Sequence, residues 1–284
     1  MAIVNMRTLL TDAKRGRYGL GCFNVANLEM ILGTVRAAEA LHSPMMMQIA
    51  ESRLVHSPLE VIGPPMVEAA HKAEVPVAVH FDHGKTESVI HRALDYGFTS
   101  VMFDGSSLPF EENVKKTLQV KKLAEQYGAA VEAEIGSVGG SEGGTGSSGI
   151  VYSDPETAKR FYEETGVDAL AIAIGNAHGF YVGKPNLRFD ILERIHNATP
   201  VPLVLHGGSG LTDEDYRACI SKGMVKLNIA TATFQKVYEA VKHGILSEEI
   251  ASYYDLHESE IQGAYENVKR HIEVFGSGGK APIA

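Results

Sequence analysis

The segment 76-PVAVHFDHGK-85 runs through Val77, Ala78, Val79 and Phe81 and then ends abruptly in an acid and an imidazole. Its apolar part has the length and valine content of a buried strand and is too short for a helix. Burying an unpaired ionisable group costs on the order of several kcal/mol, so Asp82 and His83 at a strand terminus point to chemistry rather than packing. The same arrangement recurs along the chain. Apolar runs of strand length lie at 18–23, 44–50, 76–81, 98–103, 129–135, 168–174, 201–206 and 223–229. Helical stretches alternate with them, among them 27–42, 110–128 and 155–166, with apolar residues at three-to-four spacing. Ser153, Asp154 and Pro155 supply a cap followed by a first-turn proline, and Gly128 and Gly166 stand where helices stop.

About eight βα units in a chain of this length predict a (β/α)8 TIM barrel, although a doubly wound sheet shares the same alternation. Two further helices, at about 230–245 and 258–275, follow the last strand. The reading is one barrel domain over 1–284 with a C-terminal helical extension from about 246, placed to cover a barrel end or a neighbouring subunit.

Composition narrows the partners. A net charge of −9 argues against nucleic acid and anionic membranes, both of which call for a basic patch. Cys22 and Cys219 are too few and too far apart for a disulfide framework, which points to a reducing compartment. Arg7, Asp12 and Lys14 interrupt any apolar leader, and no apolar run reaches the ~20 residues of a membrane span. A cytoplasmic protein is expected.

Catalytic groups of parallel barrels come from the C-terminal ends of the strands and the loops beyond them. Polar residues gather at that rim: Asn24, Glu51, Asp82, His83, Asp104, Glu132, Glu134, His178, His206 and Asn228. His83, His178 and His206 hold like positions on the third, sixth and seventh units and could converge on one ion, as in catalytic zinc sites with an open fourth position. Each is followed by glycine, which lets backbone approach a ligand closely. The remaining histidines take no ligand role. After the seventh and eighth strands, 206-HGGSG-210 and 228-NIATAT-233 offer small residues and a helix start suited to an anion, the recurring phosphate position of barrel enzymes. The segment 136-GSVGGSEGGTGSSG-149 reads as either a disordered surface loop or a mobile lid, and Glu142 is its only ionisable residue.

These residues, together with 20-LGCFNVANLE-29, 98-FTSVMFDGSSLPFEEN-113, 131-VEAEIGSVGGSE-142, 173-AIGNAHGFY-181, 203-LVLHGGSGL-211 and 226-KLNIATAT-233, resemble the class II, metal-dependent fructose-bisphosphate and tagatose-bisphosphate aldolases over nearly the whole chain. The resemblance implies zinc on His83, His178 and His206, and Asp82 as the group exchanging a proton with the substrate C4 hydroxyl. It implies Glu142 as the loop residue that moves the C3 proton, and Asp104 and Glu134 as carboxylates of an alternative, more buried metal position. Gly179, Gly207, Ser209, Asn228 and Thr231 match the site for the phosphate of dihydroxyacetone phosphate, where a monovalent cation such as Na+ or K+ also sits. The implied protein is a homodimer or homotetramer of carbohydrate metabolism, of the glycolytic type. It would reversibly cleave a ketose 1,6-bisphosphate or ketose 1-phosphate into dihydroxyacetone phosphate and an aldehyde. Breaking the bond beside a ketone leaves a carbanion that a Lewis acid stabilises. Strand parity sets Lys226 on the same side as Asn228, so register alone leaves a Schiff base open.

Two departures bear on substrate. Where fructose-specific members carry acids, this chain has Ala230 and Ala232, and the missing acid at 230 resembles tagatose-type members, slightly favouring that sugar. The basic residue for a distal phosphate would be Arg270 from the neighbouring subunit, with Lys269 and His271 as further candidates. If none reaches, the far end of the sugar would carry a hydroxyl or carboxylate. The alternative reading, a non-catalytic barrel that binds sugar phosphates, has no use for Asp82, Glu142 and three histidines together.

Overall fold

The apolar runs pair as parallel strands and close on themselves in sequence order, in a computed structural model that describes residues 3–140, 150–181, 183 and 185–282. Helix α1 (Met6–Gly16) precedes the first unit. Then follow β1 (Leu20–Asn24), α2 (Leu28–Ala40), β2 (Met45–Ala50), a 3-10 turn (Glu51–Arg53), α3 (Leu59–Lys72), β3 (Val77–Gly84) and α4 (Glu87–Asp95). The second half comprises β4 (Ser100–Phe103), α5 (Phe110–Gln126), β5 (Ala130–Ile135), α6 (Pro155–Thr165), β6 (Ala169–Ile172), α7 (Phe189–Ala198), β7 (Leu203–Leu205), α8 (Asp213–Ser221) and β8 (Met224–Ile229). Helix α9 (Thr231–Leu246) completes the eighth unit and α10 (Tyr253–Phe275) lies beyond it. The expected (β/α)8 barrel is therefore present, and β8 pairs back onto β1, which rules out an open doubly wound sheet.

The local signals act as read. Asp154 caps α6 by accepting from Thr157 N–H, and Gly166 ends that helix in the left-handed region. Of the two C-terminal helices predicted, the first is the barrel's own eighth helix. Only α10 is an addition, starting five residues before the predicted 258 because Ser252 caps it. Gly33 of α2 faces the Ile261 carbonyl, and Gly263 lies against the Val237 backbone, so the missing side chains let α10 seat closely on α2 and α9.

The apolar interior forms two clusters. One fills the space between strands and helices, including Ile31, Val79, Phe81, Ile90, Phe161 and Leu205. The other fills the N-terminal end of the barrel, where Met6, Leu9 and Leu10 of α1 meet Leu20, Met46, Ala78 and Val204. Above this plug the interior turns polar: Gln48, His80, Glu132 and Lys226 are completely buried in mid-strand. The expectation that polar groups stay at the rim is corrected here, since each of these side chains is tied to others: Gln48 to Asn24 and Asp82, His80 to Ser100, Glu132 to His206 and Lys226, and Lys226 to Asn228 as well.

Regular alternation would send Asp82 and His83 to opposite faces of β3. The strand does not alternate there. Its register with β4 slips between Phe81 and Gly84, and His83 has φ 46°, a left-handed conformation costly for a side chain of this size. The resulting bulge turns both adjacent side chains toward the barrel axis while Phe81 stays in the outer core against Phe98.

Candidate active site

His83, His178 and His206 reach one point from β3 and from the loops after β6 and β7, with ligand atoms within 4.8 Å of one another. The rings of His83 and His206 lie 4.4 Å apart between centroids, and those of His83 and His178 lie 5.0 Å apart. Asp104 and Glu134 form a second group with His83 at the same spacing. Burial, with the charge of Asp104 adding to it, pushes the Glu134 carboxyl up to about 7.

The outer partners decide which ring nitrogens carry protons. Asp104 Oδ2 lies 3.0 Å from His83 Nδ1, and its other oxygen accepts from Ser106 N–H and O–H. Burial would raise the Asp104 carboxyl, but the hydrogen bond and charge of His83 hold it well below its usual range. Glu132 Oε1 lies 2.7 Å from His206 Nε2, while its Oε2 lies 2.9 Å from Lys226 Nζ. Despite complete burial, Glu132 is held ionised by Lys226 and His206. An ionised carboxylate only accepts, so His83 carries its proton on Nδ1 and His206 on Nε2. The two remaining nitrogens, His83 Nε2 and His206 Nδ1, face each other at 2.7 Å. With their other nitrogens turned to carboxylates, both rings direct these nitrogens at the region that His178 also reaches, where a cation could be held. Three imidazoles backed by carboxylates suit a zinc-type ion.

Asp82 sits beside this point and is buried. Asn228 Nδ2 donates to its Oδ1 at 3.3 Å and Gln48 Nε2 to its Oδ2 at 3.1 Å. It belongs to neither of the two groups that could hold a metal.

A cleft opens at His178 and His206, lined also by Asn24, Arg53, Gly179, Gly207, Ser209, Ala230 and Thr231. Its loop after β7 is held from outside. Tyr216 O–H donates to the Gly208 carbonyl, Tyr181 O–H to that of Gly207, and Asn176 Nδ2 to that of His206. Gly207 has φ 61°, and a Cβ there would collide with the Ala177 carbonyl. Ser209 Oγ accepts from Ala232 N–H at 3.0 Å, pinning the loop to the first turn of α9 and leaving its own hydroxyl proton to donate. Carbonyls turned outward and a helix N-terminus turned inward make an anion site.

Each residue of the predicted site thus has a described position except Glu142. That residue lies outside the described residues, two positions after Gly140, which packs against the His178 backbone. Ser137 and Val151, on either side of that segment, pair with each other, and Gly139 pairs with Ala177, the residue before His178. Arg270 does not line the cleft of its own chain. It lies on α10, ion-paired with Asp213 Oδ1 of α8. His271 is buried against Tyr216, Phe23 and Phe275, and that burial lowers it to about 4, which excludes it as a substrate ligand. Two features escaped the sequence reading. Glu132 was placed on its strand but given no task, although β5 parity aligns it with Glu134 toward the interior. Arg53 follows Glu51 by two residues on the rim, and a lone arginine in a turn carries no motif.

The model of the fructose-bisphosphate aldolase class-II family matches residues 4–280. The chain is 42% identical over 236 residues to a probable fructose-bisphosphate aldolase of Bacillus subtilis, covering 81% of this chain and 82% of that one. Among solved structures it resembles the YdjI aldolase from Escherichia coli K12, with TM-score 0.89 and 36% identity over 99% of this chain and 100% of that one. A putative fructose-1,6-bisphosphate aldolase from Coccidioides immitis also has TM-score 0.89, at 31% identity over 97% of each chain.

Proposed function

The chain belongs to the class-II fructose-bisphosphate aldolase family, carbon–carbon lyases, and from that premise we propose a zinc-dependent enzyme that reversibly cleaves a ketose 1-phosphate or 1,6-bisphosphate into dihydroxyacetone phosphate and an aldehyde. A tagatose-type sugar is slightly favoured over fructose because Ala230 cannot read a hydroxyl. The observation that carries the metal is the opposed pair of ring nitrogens on His83 and His206, with their protons held away by Asp104 and Glu132.

When bound to His83, His178 and His206, zinc supplies a Lewis acid for the substrate's carbonyl and adjacent hydroxyl oxygens. The chain's own residues do the rest. Gly179, Gly207, Ser209, Asn228 and Thr231 hold the C1 phosphate through backbone N–H groups, side-chain donors and the α9 dipole, fixing C3 and C4 over the histidines. Asp82 accepts the C4 hydroxyl proton as the C3–C4 bond breaks, and Gln48 and Asn228 keep its carboxylate oriented. Glu142, beyond the described residues, is assigned the return of a proton to C3. Asp104 and Glu134 offer the ion a deeper position with His83. A monovalent cation at the phosphate site, a single domain over 1–284, a homodimer or homotetramer and a cytoplasmic location complete the reading. In keeping with that location, no helix among the described residues is long and apolar enough to cross a membrane.

Chelator treatment should abolish cleavage and stoichiometric zinc restore it, read by dihydroxyacetone phosphate release. Full activity in metal-free protein would end the zinc reading. The Schiff-base route calls for a neutral, reachable amine. Lys226 is fully buried and sits 2.9 Å from Glu132. Although burial works against its charge, Glu132 and Asp82 hold the ammonium above its usual range. Borohydride added with substrate should therefore leave no adduct on Lys226 by peptide mass analysis, and a trapped adduct there would reverse the assignment.

A further inference from the structure

We propose that Arg53 reads an anionic group on the aldehyde-derived half of the substrate, from within the same subunit, an inference that rests on the aldolase reading above. Arg53 ends the 3-10 turn after β2 and lines the cleft together with His178, His206, Ala230 and Thr231. Its guanidinium carbon stands 5.3 Å from the centre of the Phe234 ring, a stacking contact that restrains the side chain without using its donors. Among the described residues Arg53 enters no ion pair, in contrast to Arg7, Arg36, Arg160, Arg188 and Arg270, each of which meets a carboxylate. The planar fork that remains can take two oxygens of one carboxylate or phosphate.

Position assigns the half of the substrate. The loops that form the C1 phosphate site follow β6, β7 and β8, whereas β2 pairs directly with β3, which carries Asp82. Asp82 acts at C4, the first carbon of the aldehyde half, so a cation beyond β2 lies toward the carbons that leave as aldehyde. Ala230 sharpens the argument. It shares the cleft with Arg53, and an aspartate there would compete as an internal anion, whereas a methyl group leaves the guanidinium to the substrate. The basic residue otherwise expected for this end, Arg270, is engaged with Asp213.

Carboxylate and phosphate share this recognition chemistry, and kinetics separates them. Zinc-loaded wild type, Arg53→Gln and Arg53→Lys would each condense dihydroxyacetone phosphate with three aldehydes of matched length ending in phosphate, carboxylate or hydroxymethyl. Wild type should prefer at least one anionic aldehyde to the neutral one, and the stronger preference names the group. Arg53→Gln should lose about 10²-fold in kcat/KM for that aldehyde, mainly through KM, with less than about a threefold change for the neutral one. Arg53→Lys, which keeps the charge and loses the fork, should fall between. Equal losses on charged and neutral aldehydes, or no loss on the charged ones, would overturn the proposal. Failure of zinc-loaded wild type to condense any aldehyde would instead overturn the aldolase reading and take this inference with it.

Discussion

Asp82→Ala is expected to lower aldol cleavage by about 10²-fold or more while the protein keeps its full zinc content. The two halves of that expectation come from different observations. Asp82 is buried and hydrogen-bonded to Gln48 and Asn228, so it presents a fixed carboxylate to substrate, but it lies in neither of the metal-ligating groups. Its neighbour His83 reaches the metal point only through the left-handed turn at that residue, a backbone feature that the alanine variant leaves in place. Asp82→Asn separates geometry from proton transfer, because the amide retains most of the packing and loses the base. Both variants should be comparably slow, with zinc measured by elemental analysis and kcat by product release. Wild-type turnover in either would remove Asp82 from its role. A loss of zinc in step with activity would mean that the residue acts by placing His83.

The barrel was legible because its strands are short apolar runs separated by periodic helices, and glycine and proline mark the joints. The convergence of His83, His178 and His206 was legible from position alone, since all three stand at the C-terminal ends of different units. What alternation could not reveal was the bulge at Asp82 and His83. A strict two-residue period sends one of them outward, and only the slipped register with β4 reconciles the pair. Helix α1 went unread because its amphipathic pattern serves to plug the barrel floor rather than to mark a βα unit. Arg53 was invisible for a different reason. Its significance depends on which residues lack a partner in space, a property that has no signature along the chain.

The second large effect should come from Glu132, which has two tasks in the buried layer. Its Oε1 faces His206 and its Oε2 faces Lys226. Glu132→Leu removes both acceptors at once, leaving a fully buried ammonium without its carboxylate partner, its hydrogen bond to Asn228 Oδ1 remaining. Breaking such a pair from one side costs about 3–5 kcal/mol, whereas replacing both partners by apolar groups is often neutral. Chemical denaturation of the metal-free protein should therefore find Glu132→Leu destabilised by about that amount, and Glu132→Leu with Lys226→Met should recover most of it. Zinc affinity should behave differently. His206 lacks its carboxylate in both variants, and losing such an outer partner typically weakens a metal site by about 10- to 100-fold. Competition titration against a chelator should give that weakening in the single and the double variant alike. Recovery of affinity in the double variant would mean that Glu132 serves the metal only by keeping the barrel folded. Unaltered affinity in both would mean that His206 keeps its tautomer, and its place at the metal point, without Glu132.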